Sequence, residues 1–202
     1  MSKYDPEISI RYGSRLPHWE KESAIYSITF RLGDSLPKST LLALEEKREI
    51  FLQKMREQGK LNANDKKRFD KLFSEKIEQY LDAGYGECWM KQNNIAKIVA
   101  DAIRHFEGKR YKLYAWCVMP NHVHVIVQPT SHTLSDVLHS WKSFAAHEAN
   151  KLLHRTGTFW QAESFDHMIR DADKLERAIE YVWENPEKAG LKDWRWRWKI
   201  NW

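Results

Sequence analysis

Apolar and polar positions divide this chain into strand-like and helix-like stretches. Ala24 to Arg31 (AIYSITFR) is rich in Ile, Tyr, Thr and Phe and ends in alternation. This predicts a strand that stops before Gly33 and Pro37. Ser39 or Thr40 can cap a helix carrying Leu41, Leu44, Phe51, Leu52 and Met55, which Gly59 ends. A second, charged helix is expected from about Asp65, with Phe69, Leu72, Phe73, Ile77, Tyr80 and Leu81 at helical spacing and Gly84 and Gly86 as its stop. A third runs from Gln92 to Phe106, with Ile95, Ile98, Val99, Ala102 and Phe106 on one stripe, closed by Gly108.

Two strands follow, Tyr111 to Met119 and His122 to Gln128. Pro120-Asn121 between them is a turn signal, so an antiparallel hairpin is predicted. Thr133 with Asp136 three residues on is an acidic variant of the capping box. The helix behind it presents Leu134, Val137, Leu138, Trp141, Ala145 and Leu152 on one face and breaks at Gly157. Phe159 to Ile169 reads as a strand. Asp173 to Asn185 reads as a helix that must stop before Pro186. With the segment at about 38–90 treated as a helical insertion, the order is β-α-β-β-α-β. The expected fold class is therefore α+β, a ferredoxin-like core with a mostly antiparallel sheet, in one domain over 1–202.

Composition narrows the class. The chain has 202 residues, enough for one domain with a real core, and 42% hydrophobic and 30% charged residues mark an ordinary globular chain. A net charge of +5 is compatible with a polyanionic partner without demanding one. Cys88 and Cys117, the only cysteines, form no CxxC pair, which disfavours a structural zinc protein. The first residues lack the apolar core of a signal peptide and no apolar run approaches a membrane span, so a cytoplasmic protein without a membrane partner is expected. The ten Trp are mostly core material, although exposed ones can stack on bases.

Chemistry concentrates in two places. In His122-Val123-His124 the alternation of a strand puts His122, His124, Ile126 and Gln128 on one face and Val123, Val125 and Val127 on the other. The valine face is a core face. The two imidazoles lie side by side, close enough for one metal ion, and read equally well as two ordinary surface histidines. On the later helix, Leu175, Ala178, Ile179 and Val182 define the buried stripe. Tyr181 and Asn185 stack one turn apart, offset by about 40°, and flank that stripe. Taken alone, Tyr181 also reads as a half-buried packing residue and Asn185 as a plain helix C-terminal residue.

At these residues the chain resembles a known family. MPNHVHVIVQP carries the His-hydrophobe-His signature of HUH single-strand endonucleases. FWQAESFDHMIRDADKLERAIEYVWENPEKAGL resembles the hallmark of IS200-like, single-tyrosine transposases, above all the REP-associated tyrosine transposases. Tyr181-x-x-x-Asn185-Pro186 and the preceding Ile169-Arg170-Asp171 are typical of that branch, and RLPHWEKESAIYSITFRLGDSLP is similar to how such proteins begin. The resemblance implies a bacterial, nucleoid-associated enzyme of DNA transposition and recombination. It implies His122 and His124 as metal ligands, Asn185 as the third ligand where the insertion-sequence branch has Gln, and Mg²⁺ or Mn²⁺ as the metal. It implies Tyr181 as the nucleophile, forming a 5′-phosphotyrosine on single-stranded or hairpin DNA at a REP-like element. It leaves monomer or homodimer open.

The tail LKDWRWRWKINW interleaves Trp194, Trp196, Trp198 and Trp202 with Arg195 and Arg197, a pattern that can stack bases and grip phosphates, or dock as a C-terminal strand. Arg11, Arg15, Lys142 and Arg170 are further candidate phosphate contacts. Two other classes compete with the enzyme: a domesticated hairpin-binding protein that transposes nothing, and a zinc-bound structural protein. The set His122, His124, Tyr181 and Asn185 argues for the enzyme, because a pure binder has no need of it.

Overall fold

The computed structural model describes residues 8–12, 17–21, 23–58 and 77–201. Two strands, β1 (Ile8–Tyr12) and β2 (Pro17–Lys21), form an antiparallel pair of their own. The main sheet contains β3 (Ile25–Arg31), β4 (Tyr111–Val118), β5 (His122–Pro129), β6 (Phe165–Ile169) and β7 (Arg197–Lys199), in the order β6-β3-β5-β4-β7, with every neighbouring pair antiparallel. Helix α1 (Lys38–Gln58) follows β3, and residues 77–82 form a helical segment, α2. A single 3₁₀ turn (Trp89–Lys91) leads into α3 (Asn93–Arg104). Helix α4 (Leu134–Leu152) joins β5 to β6, and α5 (Ala172–Lys188) follows β6. Without β1, β2, α1, α2 and the edge strand β7, this is the split β-α-β arrangement expected from the sequence. No helix among the described residues is long and apolar enough to cross a membrane.

The sheet separates two apolar layers. On one face the register pairs Tyr26 with Val127, Ile28 with Val125 and Phe30 with Val123. Helices α3 and α4 cover that face with Ile95, Val99, Ile103, Val137 and Trp141. Two of its polar groups are linked in a chain: Trp141 Nε1 donates to the Tyr111 hydroxyl (2.9 Å), which donates to the Ile103 carbonyl (2.7 Å). On the other face Ala115, Cys117, Met119 and Ile126 pack against Leu175, Ile179 and Val182 of α5. The β4–β5 hairpin closes tightly, the Met119 amide donating to the His122 carbonyl (2.8 Å) around Pro120 and Asn121. The Thr133–Asp136 capping box is present at the start of α4.

Four boundaries differ from the sequence reading. Helix α1 starts at Lys38, so Ser39 and Thr40 lie in its first turn rather than capping it. Leu152, the last residue of α4, is 44% exposed rather than part of the buried face. Only Phe165–Ile169 is a strand. Phe159 and Trp160 are both buried, Trp160 meeting Phe30 edge-on at 5.0 Å, but the segment makes only an isolated bridge, Trp160 to Leu32, and no ladder. Helix α5 continues through Pro186 to Lys188. Proline has no N–H to donate and frees a carbonyl one turn back. The carbonyl it frees is that of Val182; the next one along, that of Trp183, accepts from Arg197 Nη1 (2.7 Å). The expected apolar positions Leu44, Phe51, Leu52, Met55, Phe69, Leu72 and Phe73 lie outside the described side chains.

Candidate active site

The centre of β5 and one turn of α5 bring the chemistry together. His122 and His124 project from β5 to the α5 side, paired across β3 with Arg31 and Thr29. They are not surface histidines: their exposures are 1% and 3%. Their Nε2 atoms face each other at 2.9 Å. The outer nitrogens are held too, His122 Nδ1 by Asn121 Oδ1 (2.8 Å) and His124 Nδ1 by Thr29 Oγ1 (2.9 Å). Desolvation, with His124 as a neighbour, keeps His122 well below the usual imidazole range, and desolvation brings His124 down to about 4. Both rings are therefore neutral at physiological pH, the state in which imidazole binds a metal.

Tyr181 comes to this pair from α5. Its ring stands edge-on to that of His124, with centroids 5.8 Å apart and planes at 83°. Its hydroxyl hydrogen-bonds to Glu78 of α2, and Asn185, one turn later, hydrogen-bonds to the phenol oxygen. Burial above all, then the charges of Glu78 and Asp82, push the phenol well above its ordinary range, while Asn185 acts in the opposite direction. The ammonium of Lys188 lies 4.9 Å from the centre of the ring.

A metal fits these residues. Two imidazole nitrogens bound at right angles about 2.1 Å from an ion lie about 3.0 Å apart, close to the separation present. Among the described residues no three His, Cys, Asp or Glu side chains gather at one point to hold a metal. A third protein ligand drawn from them is therefore an amide, hydroxyl or carbonyl oxygen. Asn185 is 2% exposed and its Oδ1 is buried without a hydrogen-bond partner. A buried, unpaired carbonyl oxygen costs about 1–3 kcal/mol, which a bound cation would recover.

The candidate DNA contacts are dispersed. Trp194 Nε1 donates to the Val118 carbonyl (2.7 Å) and Trp196 Nε1 to Asn93 Oδ1 (2.9 Å), so both indoles anchor the tail to the body. Arg197 stacks its guanidinium 4.2 Å from the Trp183 ring centre and pairs with Glu187, so it braces α5. Trp198, on β7 opposite Trp116, stays 39% exposed. Arg195 is exposed, its guanidinium 4.8 Å from the Trp196 ring centre, and Arg170 is exposed between β6 and α5. Lys142 Nζ donates to the carbonyls of Gln161 and Ala162 (both 2.8 Å), and burial lowers its pKa to about 8. Arg11 falls in β1 opposite His18, its side chain outside the described residues, as are Arg15 and Trp202.

Sequence reasoning missed Thr29, Glu78 and Asn121. The polar face of β3, Ser27-Thr29-Arg31, is visible as alternation, but only the strand register sets Thr29 beside His124. Asn121 reads as turn chemistry. Glu78 is one acid among many on a charged helix and carries no local signal.

The chain is similar to several known proteins. Residues 88–185 match the family described as Transposase IS200 like. Over 99 residues the chain is 25% identical to a putative REP-associated tyrosine transposase of Haemophilus influenzae, a match spanning 42% of this chain and 56% of that protein's length. A solved structure of a REP-associated tyrosine transposase bound to a REP hairpin shares the fold, with a TM-score of 0.52 at 16% identity over 98% of this chain and 82% of the other. A putative transposase from Deinococcus radiodurans aligns over 87% of this chain and 97% of its own at 11% identity, with a TM-score of 0.37.

Proposed function

We propose that this chain, whose residues 88–185 match the IS200-like transposase family, breaks and rejoins single-stranded DNA at hairpin-containing sites in a transposase-type reaction. One observation carries the reading: a tyrosine stands edge-on to a buried, neutral histidine pair, with an orphaned amide oxygen one helical turn from that tyrosine. Neither a packing core nor a hairpin-binding surface requires that combination. A related transposase bound to a REP hairpin supports the same choice of partner.

His122, His124 and Asn185 would hold Mg²⁺ or Mn²⁺. When bound, the cation neutralises charge on the scissile phosphate and leaves positions open for its oxygens. The remaining work belongs to the protein. Tyr181 Oη attacks phosphorus in line, the P–O3′ bond breaks, and a 5′-phosphotyrosine ester and a free 3′-hydroxyl result. A phenol held protonated by burial needs an acceptor for its proton, and the Glu78 carboxylate already accepts its hydrogen bond. Joining is the reverse: a 3′-hydroxyl attacks the ester and Tyr181 recovers its proton. An unpaired strand suits a site that must align one phosphate against a half-buried tyrosine. Tyr181 reaches the pair from its own chain, which supports a centre complete within one protomer. The expected setting is the bacterial cytoplasm, beside the nucleoid.

The test is incubation with single-stranded hairpin oligonucleotides and Mn²⁺, followed by denaturing electrophoresis for a covalent protein–DNA adduct. Wild type is expected to form one and Tyr181→Phe none. An adduct that survives Tyr181→Phe ends the nucleophile assignment. No adduct with any hairpin favours a binding protein instead.

A further inference from the structure

The hydrogen bonds around the histidine pair determine where each proton sits. Asn121 Nδ2 donates to the carbonyl of Tyr85 (3.0 Å), which fixes the amide orientation and leaves Oδ1 toward His122. An amide oxygen only accepts, so His122 Nδ1 carries the hydrogen and its Nε2 offers a lone pair. His124 Nε2 at 2.9 Å must then be the donor, and His124 Nδ1 must accept from the Thr29 hydroxyl. The chain runs Thr29 O–H to His124, His124 N–H to His122, His122 N–H to Asn121.

The two histidines are therefore not equivalent. His122 already presents a lone pair on Nε2. His124 has its hydrogen on the nitrogen that a metal needs, and must move it to Nδ1. Thr29 allows this, because a hydroxyl can rotate from donor to acceptor. Asn121 has no such freedom, being locked by the segment that leads out of the helices between β3 and α3. That segment is itself pinned. The Glu87 amide donates to Asp34 Oδ2 (2.9 Å), and Gly86, at φ +91°, leaves no room for a side chain, since a Cβ would lie 2.7 Å from the Asp34 carbonyl oxygen.

We propose that Asn121 and Thr29 are the positioning residues of the metal centre: Asn121, clamped by the Tyr85 carbonyl, presets His122, and the Thr29 hydroxyl rotates to let His124 change tautomer on binding. This rests on the metal-binding reading above. It makes the exit segment around residues 84–88 part of the centre rather than a distant connection. Outer partners of ligating histidines generally set ring orientation and tautomer, and their loss costs about 10–100-fold in affinity.

Two measurements test it. The first is ¹⁵N NMR of the metal-free protein, which reads tautomers directly and does not depend on any metal being bound. His122 is expected as the Nδ1–H form and His124 as the Nε2–H form, with His122 becoming mixed in Asn121→Ala. A wild-type His122 in the Nε2–H form overturns the proposal. The second is Mn²⁺ titration by calorimetry. Asn121→Ala and Thr29→Val are each expected to weaken binding by about 10–100-fold, and Thr29→Ser to stay within about twofold because it keeps the hydroxyl. Gly86→Ala should weaken binding in the same direction while leaving the residues of the centre intact. Wild-type affinity in both Asn121→Ala and Thr29→Val overturns the proposal. If wild type binds no Mn²⁺, the metal reading fails, and the NMR result still decides the preset tautomers.

Discussion

Tyr181 stands edge-on to His124, 5.8 Å between ring centres, and the two histidine Nε2 atoms face each other at 2.9 Å. On the proposed reading, nucleophile and ligand pair are neighbours that do different work. Tyr181→Phe removes one oxygen and leaves the ring, so Mn²⁺ affinity should change by less than about threefold while adduct formation disappears. Calorimetry beside the adduct assay checks this. A large loss of Mn²⁺ affinity would mean that the phenol oxygen is itself a ligand.

Glu78 accepts the hydrogen bond of the Tyr181 hydroxyl from a helix outside the 88–185 family match. If it takes the proton in cleavage, it returns it in joining. Glu78→Gln keeps the shape and a hydrogen bond but cannot accept a proton. Both directions should then slow by a common factor of about 10²–10⁴, measured as single-turnover rates. A variant slowed in only one direction would assign Glu78 to DNA positioning instead.

Asn185 gives its amide hydrogen to Tyr181 and leaves its carbonyl oxygen buried and unpaired. That arrangement is poor for stability and suited to a ligand. Asn185→Leu exchanges the orphan for apolar contact with the α5 layer, so in chelator the melting temperature should hold or rise. The extra stability that Mn²⁺ confers on wild type, about 2.7 kcal/mol at a hundredfold excess over Kd, should vanish. Thermal unfolding with and without Mn²⁺ reads both. A preserved Mn²⁺ shift would remove Asn185 from the ligand set.

Much of this was legible in the chain. The valine alternation of β5, the Pro120-Asn121 turn, the Thr133–Asp136 box and the α5 stripe are local signals, and each formed as the local physics directs. Where local rules misled, a distant contact had intervened. Pro186 does not end α5, and Arg197 of β7 ties down the turn before it by donating to the Trp183 carbonyl. Phe159-Trp160 is not strand: Trp160 meets Phe30 edge-on and Phe159 packs against Trp160. The site divides in the same way. His122 and His124 pair by spacing within β5 and Tyr181 and Asn185 within α5, and the family resemblance singles the four out as one candidate site. Thr29, Glu78 and Asn121 act across elements, through register and helix docking that no single stretch of sequence encodes.

The tail arginines should separate in experiment. Arg197 donates to the Trp183 carbonyl of α5, pairs with Glu187 and stacks on Trp183, whereas Arg195 is exposed beside Trp196. Arg197→Ala should lower stability by about 1–2 kcal/mol, mostly through the carbonyl and the stacking, since ion pairs reaching solvent contribute little. Arg195→Ala should leave stability within about 0.5 kcal/mol. If it contacts phosphate, it should weaken hairpin binding and reduce the salt slope by about one unit. Urea unfolding and binding at several salt concentrations discriminate the two. Equal stability losses would show the whole tail to be structural.

Acid should unfold the metal-free protein through its histidine pair. In the unfolded chain an imidazole titrates near 6.5, whereas burial holds His124 down to about 4 and His122 well below its usual range. Between those values the unfolded state binds protons that the folded state refuses, so stability is complete above about pH 6.5 and falls as pH drops toward 4. For His124 alone the loss between pH 7.5 and 5 is about 2 kcal/mol, and His122 adds to it with the same sign. Urea midpoints in chelator at the two pH values measure the total, which also contains carboxylates released from their partners. His124→Gln isolates the imidazole share: its loss should be smaller than that of wild type by about 2 kcal/mol. Mn²⁺ should steepen the wild-type dependence, because protons and metal compete for the same nitrogens. An unchanged pH dependence in His124→Gln would mean that the ring is hydrated and titrates normally in the folded protein, and the neutral pair would no longer stand as a preformed metal site.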